Sequence, residues 1–317
     1  MQQTTTVDRR SVRRPLLAGA AVLGGLALTN NLLATRAKRR HPPLGRFVEV
    51  DGVKLHVLER GSGPVILLVH GNGTMIEDWI ISGLLDDLAA THRVIAVDRP
   101  GFGHSERPRG TSWTPQRQAA LFSRLLEQLE VGRATVVGHS HGALTVAAMA
   151  LNHPERLAGA VLLAGYYYPT ARVDVLAVAP AAVPGIGDVM RHTVSPMLGR
   201  ASRKLMEARI FRPAGTTQGW RDQFPWEMAL RPSRIRAGAA DAVHMIPAAA
   251  RLASDWSRID VPVTIVAGEG DLMVHTPTHS EQLHAALPTS RLLLIPGVGH
   301  MVHHNAPGDV AAAIRAA

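Results

Sequence analysis

The sequence contains no cysteine among its 317 residues. This absence excludes a disulfide scaffold, a thiolate nucleophile, and any zinc or iron–sulfur site with cysteine ligands. Charged residues are also scarce at 19%, whereas hydrophobic residues make up 46%. Such a composition excludes a wholly disordered chain and a collagen-like or low-complexity fibre, because it supplies enough apolar side chains for a large core. We therefore expect one large folded domain or two small ones.

Positive charge is concentrated at the N-terminus of the chain. There are 34 lysines and arginines against 25 acidic residues, which gives a formal net charge of +9. Residues 1–40 hold eight basic residues and one acidic residue, so they supply +7 of this charge. The rest of the chain has neither a strong basic excess nor a nucleic-acid-binding motif, and we expect no nucleic-acid partner.

An apolar run at residues 15–34 is flanked by arginines on both sides. Its uncharged first part, residues 16–28, has the length of an export-signal core, whereas the run extended through Leu33 reaches the roughly 20 residues that cross a bilayer. No small-x-small cleavage pattern precedes the basic patch at 36–40, which favours an uncleaved membrane anchor over a cleaved export signal. A core helix is disfavoured because the run is apolar all round. Four basic residues on each side leave the orientation open.

From residue 41 the pattern changes to short strands, turns and amphipathic helices. Residues 47–50 and 53–58 alternate around Asp51-Gly52, which predicts a hairpin. Later runs are apolar throughout, as strands are in a parallel sheet covered by helices on both faces. These runs lie at 65–69, 94–97, 135–137, 161–164, 263–267 and 292–295, and the spacing between them predicts helices over 79–90, 115–129, 143–152, 276–286 and 307–315.

One long stretch, residues 166–255, lacks a clear strand pattern and contains many of the prolines. It predicts helices and turns inserted between two strands, as a cap or lid. The predicted organisation is an N-terminal segment (1–40), a first part of the core (41–165), the cap (166–255) and a second part of the core (256–317).

Candidate catalytic chemistry begins with Gly138-His139-Ser140-His141-Gly142, which lies between a predicted strand and a predicted helix. In that setting Gly-x-Ser-x-Gly is typical of a nucleophile elbow, a strained turn that exposes the serine at the N-terminus of the helix. A glycine-rich connector is the alternative interpretation. His139 and His141 are expected to pack or hydrogen-bond locally, because the turn aims their side chains away from Ser140.

A serine nucleophile needs a base and an orienting acid, and both follow strands further along the chain. Asp271 follows the strand at 263–267, and His300 follows the strand at 292–295. We expect both at the sheet edge that presents Ser140, because the carboxyl ends of parallel strands share an edge. Rival residues are Glu269 for the acid and His275, His303 and His304 for the base.

A metal site at His300, His303 and His304 is a further alternative. It is disfavoured because the three histidines fall in a predicted loop with no carboxylate at ligand spacing. The loop at Asp98–Ser105 lacks the phosphate-binding Gly-x-x-x-x-Gly-Lys pattern. We therefore expect no metal and no cofactor.

An oxyanion formed at Ser140 would need two N–H donors. The backbone of His141 is predicted to supply one, and Asn72, in the loop after the strand at 65–69, the other. The apolar cap suggests a hydrophobic acyl or alcohol group in the substrate. Candidate substrate-binding residues are His70, Gly71, Gly73, Tyr166 and Trp226.

From about residue 45 onward the chain resembles the α/β-hydrolase fold superfamily, in its cap-bearing esterase, lipase and C–C hydrolase branch. The matching strings are HGNG (70–73), DRPGFGHS (98–105), GHSHG (138–142), GEGD (268–271) and GVGH (297–300). The resemblance implies a mostly parallel eight-stranded sheet with helices on both faces. It also implies a serine hydrolase that cleaves small to medium hydrophobic esters.

Dehalogenases and epoxide hydrolases have similar folds, but a serine at the nucleophile elbow argues against both of these activities. Both need an alkyl ester of a carboxylate that water can attack, and an alkylated serine would be an inert ether. A C–C bond hydrolase, a cofactor-free perhydrolase and a non-catalytic ligand-binding protein stay open as alternatives.

Overall fold

The computed structural model describes the backbone of residues 9–317 and the side chains of residues 17–317. The first eight residues of the predicted N-terminal segment lie outside the described residues, as do the side chains of the basic residues that precede its apolar run.

A single eight-stranded sheet organises the fold. Its spatial order is β1-β2-β4-β3-β5-β6-β7-β8, with antiparallel pairing at β1–β2 and β2–β4 and parallel pairing elsewhere. This arrangement confirms the predicted mostly parallel sheet. The strands are β1 (Arg46–Val50), β2 (Val53–Arg60), β3 (Val65–Val69), β4 (Arg93–Val97), β5 (Ala134–His139), β6 (Leu157–Leu163), β7 (Val263–Gly268) and β8 (Arg291–Ile295).

The predicted hairpin joins β1 to β2 through Asp51-Gly52. Both residues have positive φ, 49° and 73°, as a tight two-residue hairpin turn requires. Asp51 tolerates this conformation better than most residues and Gly52 adopts it without a steric penalty. The local sequence therefore fixes the register Val50 opposite Val53.

The inner strands are apolar throughout because both of their faces are buried. In β3, Ile66 and Leu68 belong to one core cluster and Leu67 and Val69 to the other. Alternate side chains of a strand point to opposite faces, so one continuous apolar run supplies two cores. Each fully buried side chain of this kind contributes about 1.5–3 kcal/mol relative to an exposed one.

Helices cover both faces of the sheet. The helices are α1 (Arg9–Arg40), α2 (Glu77–Ile81), α3 (Leu84–Ala89), α4 (Pro115–Gln128), α5 (His141–Asn152), α6 (Val173–Val178), α7 (Ile186–His192), α8 (Val194–Phe211), α9 (Gln218–Gln223), α10 (Trp226–Ala229), α11 (Pro232–Leu252), α12 (Gln282–Ala286), α13 (Val302–Asn305) and α14 (Pro307–Arg315).

Two predicted helices differ from those observed. The prediction of one helix over 79–90 is wrong, because Gly83 has a φ of 77° and separates α2 from α3. The helix predicted over 276–286 begins as a π-helical segment, Pro277–Glu281, that continues into α12. By contrast, α4 begins where the sequence indicates, since Thr114 accepts the N–H of Arg117 and Pro115 occupies the first turn.

Between β6 and β7 the described chain contains helices and no strand, from α6 to α11. The longest of them, α11, packs on α4 and α5, and the pair α6 and α7 packs on α11. This is the segment predicted to be a cap, and its boundaries stay a prediction.

Within residues 17–40, only the C-terminal part of α1 packs on the rest of the protein. Its partly buried or buried side chains recur at Leu26, Asn30, Leu33 and Ala37, a helical stripe, whereas residues 17–25 are all exposed. The prediction of a helix that is apolar on every side is therefore wrong for this part of α1, because one of its faces contacts the rest of the protein. By length and composition, Leu17–Arg40 could cross a membrane.

Candidate active site

Ser140 lies at the turn between β5 and α5, with a φ of 54° and a ψ of −118°. Positive φ is strained for a residue with a side chain, and such strain is typical of a nucleophile held at a sharp turn. The turn closes because Gly138 and Gly142 flank it. A Cβ on Gly138 would lie 2.5 Å from the carbonyl oxygen of Gly142, and one on Gly142 would collide with the carbonyl oxygen of Val69.

Ser140, His300 and Asp271 are in contact, although they come from three separate loops. His300 Nε2 lies 3.0 Å from Ser140 Oγ, and His300 Nδ1 lies 2.7 Å from Asp271 Oδ2. The other carboxylate oxygen, Asp271 Oδ1, accepts the backbone N–H groups of Met273 and Val274 at 2.7 and 2.9 Å. These bonds orient the carboxylate toward the imidazole. The arrangement can deprotonate the serine hydroxyl and carry the proton on His300.

The rival residues are engaged elsewhere. His303 Nε2 and His304 Nε2 both donate to Asp78 Oδ1, at 3.1 and 2.7 Å. His275 Nδ1 lies 2.6 Å from Thr278 Oγ1, and the Glu269 side chain is exposed. Of the four histidines weighed as base, the structure brings His300 to the serine hydroxyl.

A buried polar cluster formed by Asp78, His139, His303 and His304 lies behind His300. His139 Nε2 donates to the backbone carbonyl of His300 at 3.0 Å, and its ring centre lies 4.5 Å from that of His303. Asp78, which lies on α2, was not among the site residues predicted from the sequence. The prediction that His303 and His304 lie in a loop is wrong, because they lie on α13. The carboxylate beside them comes from Asp78, which is distant in the sequence.

By position, Asp78, His139 and His303 could hold a metal ion, since one ligand atom from each lies within 4.8 Å of the others. Hydrogen bonding also accounts for the arrangement. Burial alone would raise the pKa of Asp78, but the N–H groups of His303 and His304 lower it well below its usual range. Burial lowers the pKa of His303 and that of His139, so both rings are neutral at pH 7.

The loop predicted to hold the oxyanion, His70–Gly73, is fixed by Arg99. The Arg99 guanidinium donates to the carbonyls of His70 and Gly71 at 2.9 and 3.1 Å, and the Arg99 N–H donates to His70 Nε2 at 2.9 Å. Burial, followed by the charge of Arg99, lowers the pKa of His70 to about 4, so its ring is neutral and accepts this bond.

Arg99 also connects the elbow to the inserted helices. Its Nη1 lies 3.1 Å from His141 Nδ1 and 2.6 Å from Asp241 Oδ2 on α11, and the second carboxylate oxygen of Asp241 lies 2.8 Å from Arg107. All these groups are buried. Neither Arg99 nor Asp241 was among the site residues predicted from the sequence. An acidic residue in the middle of an apolar helix would have been a usable signal for a buried ion pair.

Backbone N–H groups of Asn72 and His141 form none of the hydrogen bonds found among the described residues. The Asn72 side chain donates instead to the carbonyl of Gly238 at 3.1 Å, so its amide faces α11. A Cβ on Gly71 would lie 3.2 Å from the Cβ of Ser140, which places this loop directly against the elbow. Gly73 has a φ of 104° and lies beside Arg234.

Tyr166 and Trp226 are held by packing contacts. The Tyr166 hydroxyl donates to the carbonyl of Thr170 at 2.9 Å, and its ring centre lies 4.4 Å from that of His279. The Trp226 ring packs with Phe224 and Trp220 in an aromatic cluster. Their role in substrate binding stays a prediction.

Residues 64–307 match the family described as alpha/beta hydrolase fold. The chain belongs to this family. Among curated relatives, it is 33% identical over 136 residues to 2-hydroxymuconate semialdehyde hydrolase from Pseudomonas sp. strain CF600, a match that covers 42% of this chain and about half (48%) of that protein. It is 25% identical over 282 residues to haloalkane dehalogenase 2 from Mycobacterium tuberculosis H37Rv, which covers 86% of this chain and 94% of the relative.

One solved structure similar to this alpha/beta hydrolase includes α1 in the match. It is a bacterial membrane phospholipase A, with a TM-score of 0.66 and 22% identity, and the match covers 98% of this chain and 97% of that one. At this identity the likeness concerns the fold. Family and relatives together make the protein a hydrolase.

Proposed function

We propose that this alpha/beta hydrolase cleaves carboxylic esters of a small to medium hydrophobic substrate through an acyl-enzyme. The observation that carries the proposal is the continuous chain of contacts from Asp271 through His300 to Ser140, at 2.7 and 3.0 Å. A serine activated in this way is suited to attack at a carbonyl carbon.

In the proposed reaction Ser140 Oγ attacks the ester carbonyl while His300 Nε2 accepts the hydroxyl proton. The N–H groups of Asn72 and His141 bind the resulting oxyanion, and Asp271 stabilises the imidazolium through Nδ1–H. His300 then protonates the leaving alkoxide as the C–O bond breaks. Water, deprotonated by His300, attacks the acyl-serine, and the acid leaves as Ser140 regains its proton.

The dehalogenase relative suggests a different reaction, which the nucleophile argues against. Displacement of halide by Ser140 would form an alkyl ether, and an ether offers water no carbonyl to attack. The enzyme would stop after one turnover. Ester hydrolysis uses the three side chains already in contact, together with water and the two predicted oxyanion donors.

Hydrolysis of a C–C bond in a vinylogous diketone is the second candidate. It is favoured by the 33% identity to 2-hydroxymuconate semialdehyde hydrolase, which extends over 136 residues. Such a reaction would use the same three side chains. A substrate panel that contains both p-nitrophenyl esters and a vinylogous diketone would distinguish the two activities by kcat/KM.

We further propose that α1 is an uncleaved membrane anchor. Residues 17–25 are exposed and apolar or glycine, and the helix is long enough to span a bilayer. An intact N-terminal mass and resistance to carbonate extraction of the membrane would support the anchor. A soluble chain that begins after residue 35 would instead indicate a cleaved export signal.

Replacement of the serine and of the base tests the catalytic proposal. We expect Ser140→Ala and His300→Ala each to lower kcat for p-nitrophenyl butyrate by about 10³-fold or more, because both act in the same chemical step. Fluorophosphonate labelling should disappear in Ser140→Ala. His275→Ala is the matched control and should keep full activity, since this exposed side chain bonds Thr278 rather than Ser140. Activity retained by Ser140→Ala would contradict the assignment.

A further inference from the structure

The outer surface of the inserted helices is apolar. We call it the cap face and define it as α6, α7 and the turn between them, residues 173–192. These elements lie on α11, which itself lies on α4 and α5, and α7 also contacts α1 and α8. Leu176 is 73% exposed and Ile186 is 65% exposed.

An open groove of about 620 Å³ runs along the cap face. Its lining consists only of alanine, valine, leucine, isoleucine and proline side chains from the cap face and of Val243 on α11. A soluble monomer rarely exposes so continuous an apolar surface, and such a patch is typical of a docking site. The helical segments Val173–Ala182 and Ile186–His192, which meet at 100°, are together apolar enough to form a broken or re-entrant membrane segment.

The cap face adjoins the point from which α1 leaves the protein. The Asn30 side chain donates to the carbonyls of His192 and Thr193, at 2.9 and 2.8 Å, where α7 ends and α8 begins. Arg200 donates to Asn30 Oδ1 at 2.8 Å. On the N-terminal side of Asn30, the apolar part of α1 extends beyond these contacts. The exposed half of α1 and the cap face are therefore adjacent, because both lie next to the contacts that Asn30 makes.

Charge around this junction suits an anionic lipid surface. The segment from α6 to α8 carries five basic and three acidic residues. One of the acids, Asp188 on α7, is shared by Arg191 and by Arg109, whose side chain is 73% exposed. Arg191 is itself buried, so Arg109 is the exposed cation of this group. An apolar surface beside an exposed cation suits a segment that lies in the headgroup boundary of a membrane.

We propose that the cap face inserts into the headgroup boundary of the bilayer that α1 crosses, so that the hydrolase is held to the membrane at two adjacent places. This inference rests on the proposed anchor and is independent of the catalytic assignment. It commits to lipid as the occupant, because α1, the helix proposed to span the bilayer, is hydrogen-bonded through Asn30 to the end of the cap face.

Because the chain has no cysteine, single reporter cysteines can test the proposal in the full-length protein. Leu176→Cys and Ile186→Cys would each be labelled with an environment-sensitive fluorophore and reconstituted in phosphatidylcholine and phosphatidylglycerol vesicles. Insertion predicts a blue-shifted emission and at least a twofold loss of intensity when shallow nitroxide-labelled lipids are present. Leu293→Cys on the edge strand β8 is the matched control and should emit as in water, without quenching.

Val22→Cys on the exposed half of α1 distinguishes the possible failures. If Val22→Cys is quenched while Leu176→Cys and Ile186→Cys emit as in water, the anchor holds and the insertion of the cap face is refuted. A blue shift without nitroxide quenching would mean that protein, such as a second copy, covers the cap face, and would also refute it. If none of the three probes is quenched, both the anchor and the insertion fail. Hydrolysis of a soluble ester in the same vesicles tests the catalytic proposal separately.

Discussion

The buried side chain of Arg99 has hydrogen-bond partners in several parts of the protein. It bonds the predicted oxyanion loop, the imidazole of His141 beside the proposed nucleophile, and Asp241 of the inserted helix α11. Burial raises the cost of an ionised Asp241, but Arg107 and Arg99 lower the pKa of this carboxyl well below its usual range. The planar guanidinium satisfies partners in several directions, which a lysine cannot do.

Arg99→Lys should therefore disturb the oxyanion loop while the charge is kept. We expect kcat for p-nitrophenyl butyrate to fall by about 10²-fold with a smaller change in KM, the size of effect produced by loss of an oxyanion donor. Steady-state kinetics would measure it. Arg107→Lys is the control, because Arg107 bonds Asp241 and Pro100 but not the loop. Equal losses in both variants would show that the effect comes from the pairing with Asp241 alone.

Asp78 is a second buried residue with several partners next to the candidate active site. One of its carboxylate oxygens accepts the imidazole N–H groups of both His303 and His304. Asp78→Ala leaves both donors buried and unpaired, and we expect a loss of about 3 kcal/mol or more in the free energy of unfolding. Denaturant titration would measure the loss. Asp86→Ala, which breaks the exposed pair with Arg60, should cost less than about 1 kcal/mol. Similar losses in the two variants would contradict the structural role of the cluster.

At the scale of elements, a polar contact within the apolar run of α1 joins this helix to the inserted helices. Asn30 is buried and makes three hydrogen bonds to the junction of α7 and α8 and to Arg200. Thr29 and Thr35 instead bond the carbonyls four residues earlier in α1. Asn30 thus holds one face of α1 against the protein, beside Asn31, whose Oδ1 lies 3.1 Å from His192 Nδ1.

Asn30→Leu should loosen this junction without preventing α1 from entering a membrane. We expect a loss of about 2–3 kcal/mol of local stability, because three hydrogen bonds disappear and buried carbonyls lose their donor. Hydrogen exchange at residues 186–200 should accelerate roughly 10- to 100-fold. Thr29→Val removes only the bond to Gly25 and serves as the control. Unchanged exchange in Asn30→Leu would show that apolar packing alone holds α1.

At the scale of the whole molecule, several buried histidines are neutral in the folded state. Burial is the largest cause in each case and lowers the pKa of His70 and of His279 to about 4, that of His141 to about 3, and that of His139 well below its usual range. The nearby arginines Arg99 and Arg172 add to the effect for three of them. Protonation of these rings is therefore easier in the unfolded chain.

The sign of the resulting pH dependence follows from linkage. These folded pKa values lie below the ordinary value of 6.5, so the unfolded state binds more protons as the pH falls below 6.5. The stabilisation is complete above about pH 6.5 and is lost as the pH falls toward 4. Each such histidine contributes a slope of about 1.4 kcal/mol per pH unit in that range.

His279→Gln should reduce this slope by about that amount, since glutamine can still accept the N–H of Tyr167 but does not titrate. Denaturant unfolding between pH 4 and 7 would measure the slope. His275→Gln replaces an exposed histidine and should leave the slope unchanged. An identical slope in His279→Gln and the unaltered protein would exclude His279 as one of the groups responsible.

The sequence by itself determined the sheet and the order of the three residues proposed as a catalytic triad. Short continuous apolar runs between turn signals indicate strands buried on both faces, and Ser140, Asp271 and His300 each follow one of them. Parallel strands present their carboxyl ends at one edge, so a local pattern sufficed to bring the three together. It did not show the break between α2 and α3, where Gly83 adopts a left-handed conformation that many glycines do not.

Only the tertiary structure decided the contacts that support this site. The partners Arg99 and Asp241 are 142 residues apart in the sequence. Asp78 and His303 are separated by 225 residues. Asn30 and His192 are separated by 162 residues. No spacing along the chain marks such pairs. A buried charge or amide needs a partner wherever the fold provides one, and that partner is fixed by packing in three dimensions rather than by the local sequence.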